Sequence, residues 1–204
     1  MKTYRLAASA LFIAFSAVCA NPAVAQVRAN LSQAAVDDRL ARVLAAVAAQ
    51  PITAAPFFER RVSSLYATPM ESSGTLSFSP SGVIEKLTTR PNRERVVISA
   101  DSISVDAAAG IPAKVIKIEA QSGLASYGMG LRAILSGNEK QLRQVFDADV
   151  SGSFESWKIQ LFPREVSLKR GIRQITVSGS KANLRVIETL EASGDTLELT
   201  IVPR

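Results

Sequence analysis

The sequence predicts a mainly β domain with helices, built on a single antiparallel sheet. Three observations predict it. Eleven stretches alternate apolar and polar residues with period two, short turn-forming breaks separate nearly all of them, and one amphipathic helix precedes them. Connections that short join antiparallel neighbours. So many strands exceed what a flat sheet tolerates, so the apolar face is expected to wrap inward as a sandwich, a barrel or an open barrel.

The helix comes first. Ser32 is placed to cap a run from Gln33 to Ala49, in which Val36, Leu40, Val43, Leu44 and Val47 fall on one stripe, and Pro51 ends it. Strands are then expected at Phe57 to Tyr66, Ser73 to Ser79, Val83 to Thr89, Arg95 to Ser99, Ser102 to Asp106 and Lys114 to Ala120. After an interruption follow Val150 to Phe154, Ser156 to Phe162, Ile172 to Ser178, Leu184 to Glu191 and Thr196 to Val202. The breaks carry turn chemistry: Thr68-Pro69, Pro80-Ser81-Gly82, Pro91-Asn92, Gly110 to Pro112, Ser178-Gly179-Ser180 and Ser193-Gly194-Asp195. Along the strands, Leu76 and Phe78 share a face, as do Trp157, Ile159 and Leu161, then Ile175 and Val177, then Leu184, Val186 and Leu190, then Leu197, Leu199 and Ile201. Their neighbours are largely Ser, Thr, Lys, Arg and Glu, so one face is greasy and the other wet.

The interruption runs from Ser122 to Ser136 and is apolar yet holds three glycines, Gly123, Gly128 and Gly130. Each weakens a helix by about 1 kcal/mol relative to alanine, so the segment reads either as a movable helical flap or as a fixed plug over the sheet. Asn138 is placed to cap a second short helix bearing Leu142, Val145 and Phe146.

The first 25 residues read as an export signal. Lys2 and Arg5 form a positive start, Leu6 to Val18 is an uncharged apolar run, and Ala23-Val24-Ala25 is the small-x-small site that signal peptidase cleaves, before Gln26. A weaker site follows Ala20. The run is shorter than the roughly 20 residues that span a bilayer, which argues against a membrane anchor. A lipoprotein signal at Cys19 would need a small residue before the cysteine, where Val18 stands. Residues 26–204 are then one exported domain. Losing Lys2 and Arg5 takes the Lys and Arg count from 24 to 22 against 18 acids, a net charge of +4.

Chemistry is scarce in what remains. The chain has no histidine, and its single cysteine, Cys19, lies in the signal. The exported chain therefore has no imidazole base, no thiol nucleophile and no disulfide, and neither a metal site nor a cofactor is expected. Ser178-Gly179-Ser180-Lys181 matches the Ser-x-x-Lys spacing of some acyl enzymes but falls on a turn between strands. The pairs Asp147 with Asp149 and Glu188 with Glu191 have the composition of a glycosidase pair, the first in a helix-to-strand connection and the second on opposite faces of one strand. No catalytic residue is assigned. Basic clusters at Arg60-Arg61, at Arg90, Arg93 and Arg95, and at Lys169-Arg170 with Arg173 decorate the rim or outer face, and the aromatics are not interleaved with them as nucleic-acid binding requires.

The order of parts then matches a known pattern: signal, amphipathic helix, Ala55-Pro56-Phe57-Phe58-Glu59, Gly74-Thr75-Leu76-Ser77-Phe78 followed by Pro80, and Thr89-Arg90-Pro91 leading into a hairpin of Val96-Val97-Ile98 against Ile103-Ser104-Val105. This resembles the LolA-type periplasmic lipoprotein carriers over nearly the whole exported chain. The resemblance implies a curved antiparallel sheet forming an incomplete, half-open β-barrel covered by short helices, whose apolar hollow takes up the acyl chains of a lipidated protein. The candidate cavity residues are Phe58, Val62, Leu76, Phe78, Leu87, Val97, Trp157, Ile159, Leu161, Ile175 and Val177. The candidate lid residues are Leu124, Tyr127, Met129, Leu131, Ile134 and Leu135. The resemblance further implies lipidated protein or free lipid as cargo, an inner-membrane exporter, an outer-membrane acceptor and a monomer that needs no catalyst. The carriers typically place an arginine directly before the proline of the first turn, where it holds the lid helices closed; here that position is Ser79. Two other readings of the same sequence are an envelope adaptor that senses lipids or lipoproteins, and a carboxylate-dependent hydrolase.

Overall fold

The computed structural model describes residues 22–50, 52–79, 81–106, 113–117 and 123–202, with side chains from residue 35 onward except 123–126. The expected export signal through Asn21, Pro51, Pro80, residues 107–112 with the break expected at Gly110 to Pro112, and the end of the strand expected to reach Ala120 lie outside the described residues. The chain divides into two compact units, Met1–Ala34 and Ala35–Arg204. The described part of the first is the start of helix α1 (Pro22–Ala48), and Ser32 is inside that helix and not at its cap. Everything below concerns the second unit.

Its strands are β1 (Ala55–Val62), β2 (Met70–Phe78), β3 (Ile84–Arg90), β4 (Glu94–Ile98), β5 (Ser102–Asp106), β6 (Lys114–Lys117), β7 (Phe146–Ser153), β8 (Ser156–Pro163), β9 (Ile172–Ser180), β10 (Asn183–Glu191) and β11 (Thr196–Ile201). Helices α2 (Gly123–Leu135) and α3 (Glu139–Val145) separate β6 from β7, and a single turn α4 (Val166–Lys169) separates β8 from β9. All eleven strands form one curved antiparallel sheet in the order β6-β5-β4-β3-β2-β1-β11-β10-β9-β8-β7, with β6 and β7 as free edges. The half-open barrel expected from the resemblance is therefore present, and it does not close.

Pairing fixes which side chains face the hollow. In β1, Ala55 and Phe57 are buried and pair with Leu76 and Gly74 on one side, while Phe57 pairs with Ile201 on the other. The same face continues through Ile84, Val96, Ile98 and Ile103. On the other flank it continues through Leu199, Ile187, Val177, Ile159 and Val150. A register shift between Leu184 and Val186 alters the phase of β10, so Leu184, Ile187 and Thr189 are buried while Val186 and Leu190 stay on the wet side. This corrects the strict alternation expected there.

The helices close over the hollow. Leu40, Val43, Leu44 and Val47 of α1 are buried in the same core as Ile134 and Leu135 of α2 and Leu142 and Val145 of α3. Asn138 caps α3 as expected, its side-chain oxygen accepting from the Gln141 N–H at 3.0 Å. Phe146, expected on that helix, instead opens β7, which starts four residues earlier than the alternation indicated. Two glycines admit close contacts. A Cβ on Gly130 would stand 2.2 Å from the Phe146 ring, and one on Gly128 would stand 3.2 Å from Ile98 Cγ2. Here the glycines seat α2 closely against its neighbours, besides weakening its helix.

Candidate functional site

Between the sheet and α2 lies an apolar cavity of 160 Å³. Its floor comes from Leu76, Ile84, Val96, Ile98, Ile187, Leu199 and Ile201, and its roof from Tyr127, Leu131 and Leu135. The roof is well anchored, because Ala133, Ile134 and Leu135 at the end of α2 are almost fully buried.

Two polar groups interrupt this surface. Glu59 and Lys86 form an ion pair on the floor, with the Lys86 ammonium also 5.2 Å above the centroid of the Phe57 ring and the Ser72 hydroxyl donating to Glu59. Their side chains are only 17% and 23% exposed. On the roof, the Tyr127 hydroxyl bonds Thr189, and burial raises its pKa above the usual phenol value, with the charges of Glu59 and Glu191 adding to the rise.

The cavity continues on both sides. A larger, polar hollow of 550 Å³ shares Glu59 and Lys86 and is walled by Arg61, Met70, Glu71, Thr88 and the Pro91–Asn92 turn. A hollow of 420 Å³ shares Tyr127, Thr189 and Leu197 and reaches Leu168 and Ile172. Where the strand ends meet between these two openings, Arg61 bridges Glu191 at 2.7 Å and Asp195 at 3.9 Å. A depression of 310 Å³ lies on the opposite face, lined by Arg60, Glu188, Thr196 and Glu198 among others.

Of the expected cavity residues, Leu76 lines the cavity. Trp157, Ile159, Leu161, Ile175 and Val177 face inward but are buried in the solid core, and Phe78 packs against that core. Four were placed on the wrong face. Phe58 pairs with Thr200 and Ser73 on the outer side and is 61% exposed, because only one of two adjacent phenylalanines can turn inward and Phe57 does. Val62 lies on that outer side opposite Thr196, Leu87 opposite Arg95 and Val97 opposite Glu85. Of the expected lid residues, Tyr127, Leu131 and Leu135 line the cavity from α2, Ile134 is core, Met129 packs against the core, and the Leu124 side chain lies outside the described residues.

The sequence reading missed Glu59 and Lys86, since an alternation rule sends every charge outward. A signal was present: Phe57 fixes the inward parity of β1, and Glu59 follows two residues later.

The turn before β3 differs from the family pattern as expected. The Ser79 hydroxyl accepts from the Val83 N–H at 3.1 Å and so closes the turn itself. The arginine at this turn comes from the helix, with Arg132 Nη2 2.9 Å from the position a Gly82 Cβ would occupy. The Ser178-x-x-Lys181 match is a hairpin, with Lys181 at the exposed tip, 3.4 Å from Glu155. Asp147 and Asp149 share an exposed face of β7, within the strand and not in a connection, and Asp147 pairs with Arg164 at 3.3 Å. Among the described residues no group of three or more carboxylates could hold a metal ion.

Fold and cavity together define a half-open β-barrel that shelters an apolar hollow beneath a helix. The chain belongs to the family described as outer membrane lipoprotein carrier protein LolA-like, which matches residues 30–202. Members of this family are periplasmic binding and carrier proteins. Among the described residues no helix is long and apolar enough to cross a membrane.

Similar solved structures include a LolA superfamily protein from Nitrosomonas europaea, 8% identical over 79% of this chain and 90% of that one, with a TM-score of 0.42. A chain of the Pseudomonas aeruginosa MucA/MucB complex is 10% identical over 80% of this chain and 55% of its own length, with a TM-score of 0.41. A putative outer membrane lipoprotein-sorting protein domain from Vibrio parahaemolyticus is 10% identical over 73% and 82%, with a TM-score of 0.37. Comparison with curated proteins gives no match.

Proposed function

We propose that the protein carries acyl chains, of a lipoprotein or of another lipid, in the hollow between the sheet and α2, and delivers them towards the outer membrane. The observation that carries this reading is the apolar cavity roofed by Tyr127, Leu131 and Leu135. Burying one CH₂ is worth about 0.8 kcal/mol, so a single long chain supplies on the order of 10 kcal/mol before ordering costs. At 160 Å³ the cavity is smaller than the roughly 300 to 1,000 Å³ of pockets that enclose whole ligands. Uptake of a long chain therefore requires α2 to lift, which makes it a flap. In this reading residues 1–25 are an export signal cleaved before Gln26, and residues 26–204 are one lipid-binding domain. It works in the periplasm as a monomer, with an inner-membrane exporter as donor and an outer-membrane acceptor.

Native mass spectrometry of the exported protein, purified without detergent, is expected to show a chain beginning at Gln26 with acylated species bound. A clean apo mass that takes up no added lipid would overturn the carrier reading. Leu131→Asp is expected to abolish lipid uptake while circular dichroism still reports a folded sheet. Undiminished uptake in that variant would make α2 a fixed plug.

A further inference from the structure

The floor of the cavity is hydrocarbon except at Glu59, Lys86 and Thr189, and the Glu59–Lys86 pair lines both the apolar cavity and the 550 Å³ hollow, whose other walls are largely charged and polar residues. Such a pair is a poor structural choice. Withdrawing two charges from water costs about as much as their attraction returns, and well-packed apolar residues of similar volume commonly serve stability as well or better. Every strand neighbour on the inward face around Lys86 could be satisfied by a leucine: Leu76 on β2 and Val96 on β4 are its direct partners.

Lys86 also has capacity to spare. An ammonium carries three N–H donors and no acceptor. Glu59 accepts from one of them, and the Phe57 ring interacts through its face without taking up a classical acceptor position. Glu59 is held from the other side by the Ser72 hydroxyl, so the ammonium is fixed at the boundary, and among the described residues Glu59 is the one hydrogen-bond acceptor it meets. On this boundary an amphiphile changes from chain to headgroup. The first polar atoms met on leaving an acyl chain are its carbonyl oxygens, which only accept hydrogen bonds.

We infer that Lys86, held by Glu59, is the anchor for the acyl carbonyl oxygen of the cargo, with the chain in the apolar cavity and the headgroup in the 550 Å³ hollow. This rests on the carrier reading and sharpens it: the cargo class is the acyl compound, whether free acid, ester or amide, and not simply any apolar molecule. A neutral carbonyl joins without displacing Glu59. A free carboxylate binds to the same donors but meets the Glu59 charge.

The test measures displacement of a neutral naphthylamine fluorophore from the exported protein by laurate, methyl laurate and tridecane, chains of similar length with and without a carbonyl. Both acyl compounds are expected to bind about ten-fold or more tighter than tridecane, the effect of a hydrogen bond to a charged donor. Methyl laurate at least as tight as laurate assigns ester and amide cargo; laurate tighter assigns free acids; both outcomes support the anchor. The double variant Glu59→Leu with Lys86→Met leaves no unpaired charge and no N–H donor from either side chain, and is expected to bind all three ligands alike, at the wild-type affinity for tridecane within a few-fold. Its thermal unfolding is followed in parallel, and the ratio between ligands is a readout that altered stability alone does not move. Equal binding of the three ligands by the wild type, or an acyl preference kept by the double variant, overturns the anchor and leaves the carrier reading standing. Binding of none of the three by the wild type overturns both.

Discussion

Gly130 lies where α2 crosses the ring of Phe146, which is 1% exposed and has no room to turn aside. On propensity alone Gly130→Ala would strengthen the helix by about 1 kcal/mol. Overpacking works against this at about 1–3 kcal/mol, so the variant is expected to lower the chemical denaturation midpoint. Phe146→Leu should then cost less in the alanine background than in the wild type, a coupling that a double-mutant cycle reads directly. At the rim of the hollow, Asp195 sits below the usual carboxylate range, chiefly through the Ser63 hydroxyl, with the Ser64 N–H and the charge of Arg61 contributing. A depressed folded-state pKa gives stability that is present above the unfolded value of about 3.9 and is lost as pH falls through the folded one. Asp195→Asn is expected to flatten the acid side of the stability profile, followed as the denaturation midpoint from about pH 5 to pH 3. Residue identity alone did not locate the cavity residues. Phe57 and Phe58 are chemically identical, and only the pairing of β1 with β2 and β11 decides which is core.

At the scale of elements, α2 is held to the sheet by burial of its end and by the Tyr127 to Thr189 hydrogen bond. The buried phenol has its pKa raised, so its share of stability is complete below the unfolded value of about 10 and is lost as pH rises through the folded one. Tyr127→Phe is expected to lose part of the alkaline fall in the denaturation midpoint above about pH 10. The strands were legible to within a few residues because alternation and turn chemistry are local signals. β5 agrees at both ends, and the start of β8 is the expected Ser156. What was not legible is phase where a strand is irregular. The register shift after Leu184 reverses the inward set of β10, and β3 carries Ile84 and Leu87 on opposite faces, so hydrophobicity alone assigns both to one side. Glu59 and Lys86 were hidden for a related reason, since their inward position follows from their neighbours' parity and not from their own polarity.

At the scale of the whole sheet, the fold class followed from a count: so many short strands with one greasy face have to curl, and helices are at hand to cover the hollow. Failure to close has a further cost, because among the described residues no strand pairs with the outer edges of β6 and β7. Such edges are templates for a second chain. The described part of β6 carries Lys114 and Lys117, while β7 carries exposed Asp147 and Asp149 and holds Gly152 at a φ of 83°. Like charges oppose the pairing of β6 with a second β6 or of β7 with a second β7, and the left-handed glycine interrupts the β7 edge. Replacing Lys114 and Lys117 with valine is expected to produce larger species at high protein concentration, visible by light scattering, with the thermal stability of the dilute protein little changed. The half-open barrel thus carries its own protection against the pairing of like edges, in the side chains of its outermost strands.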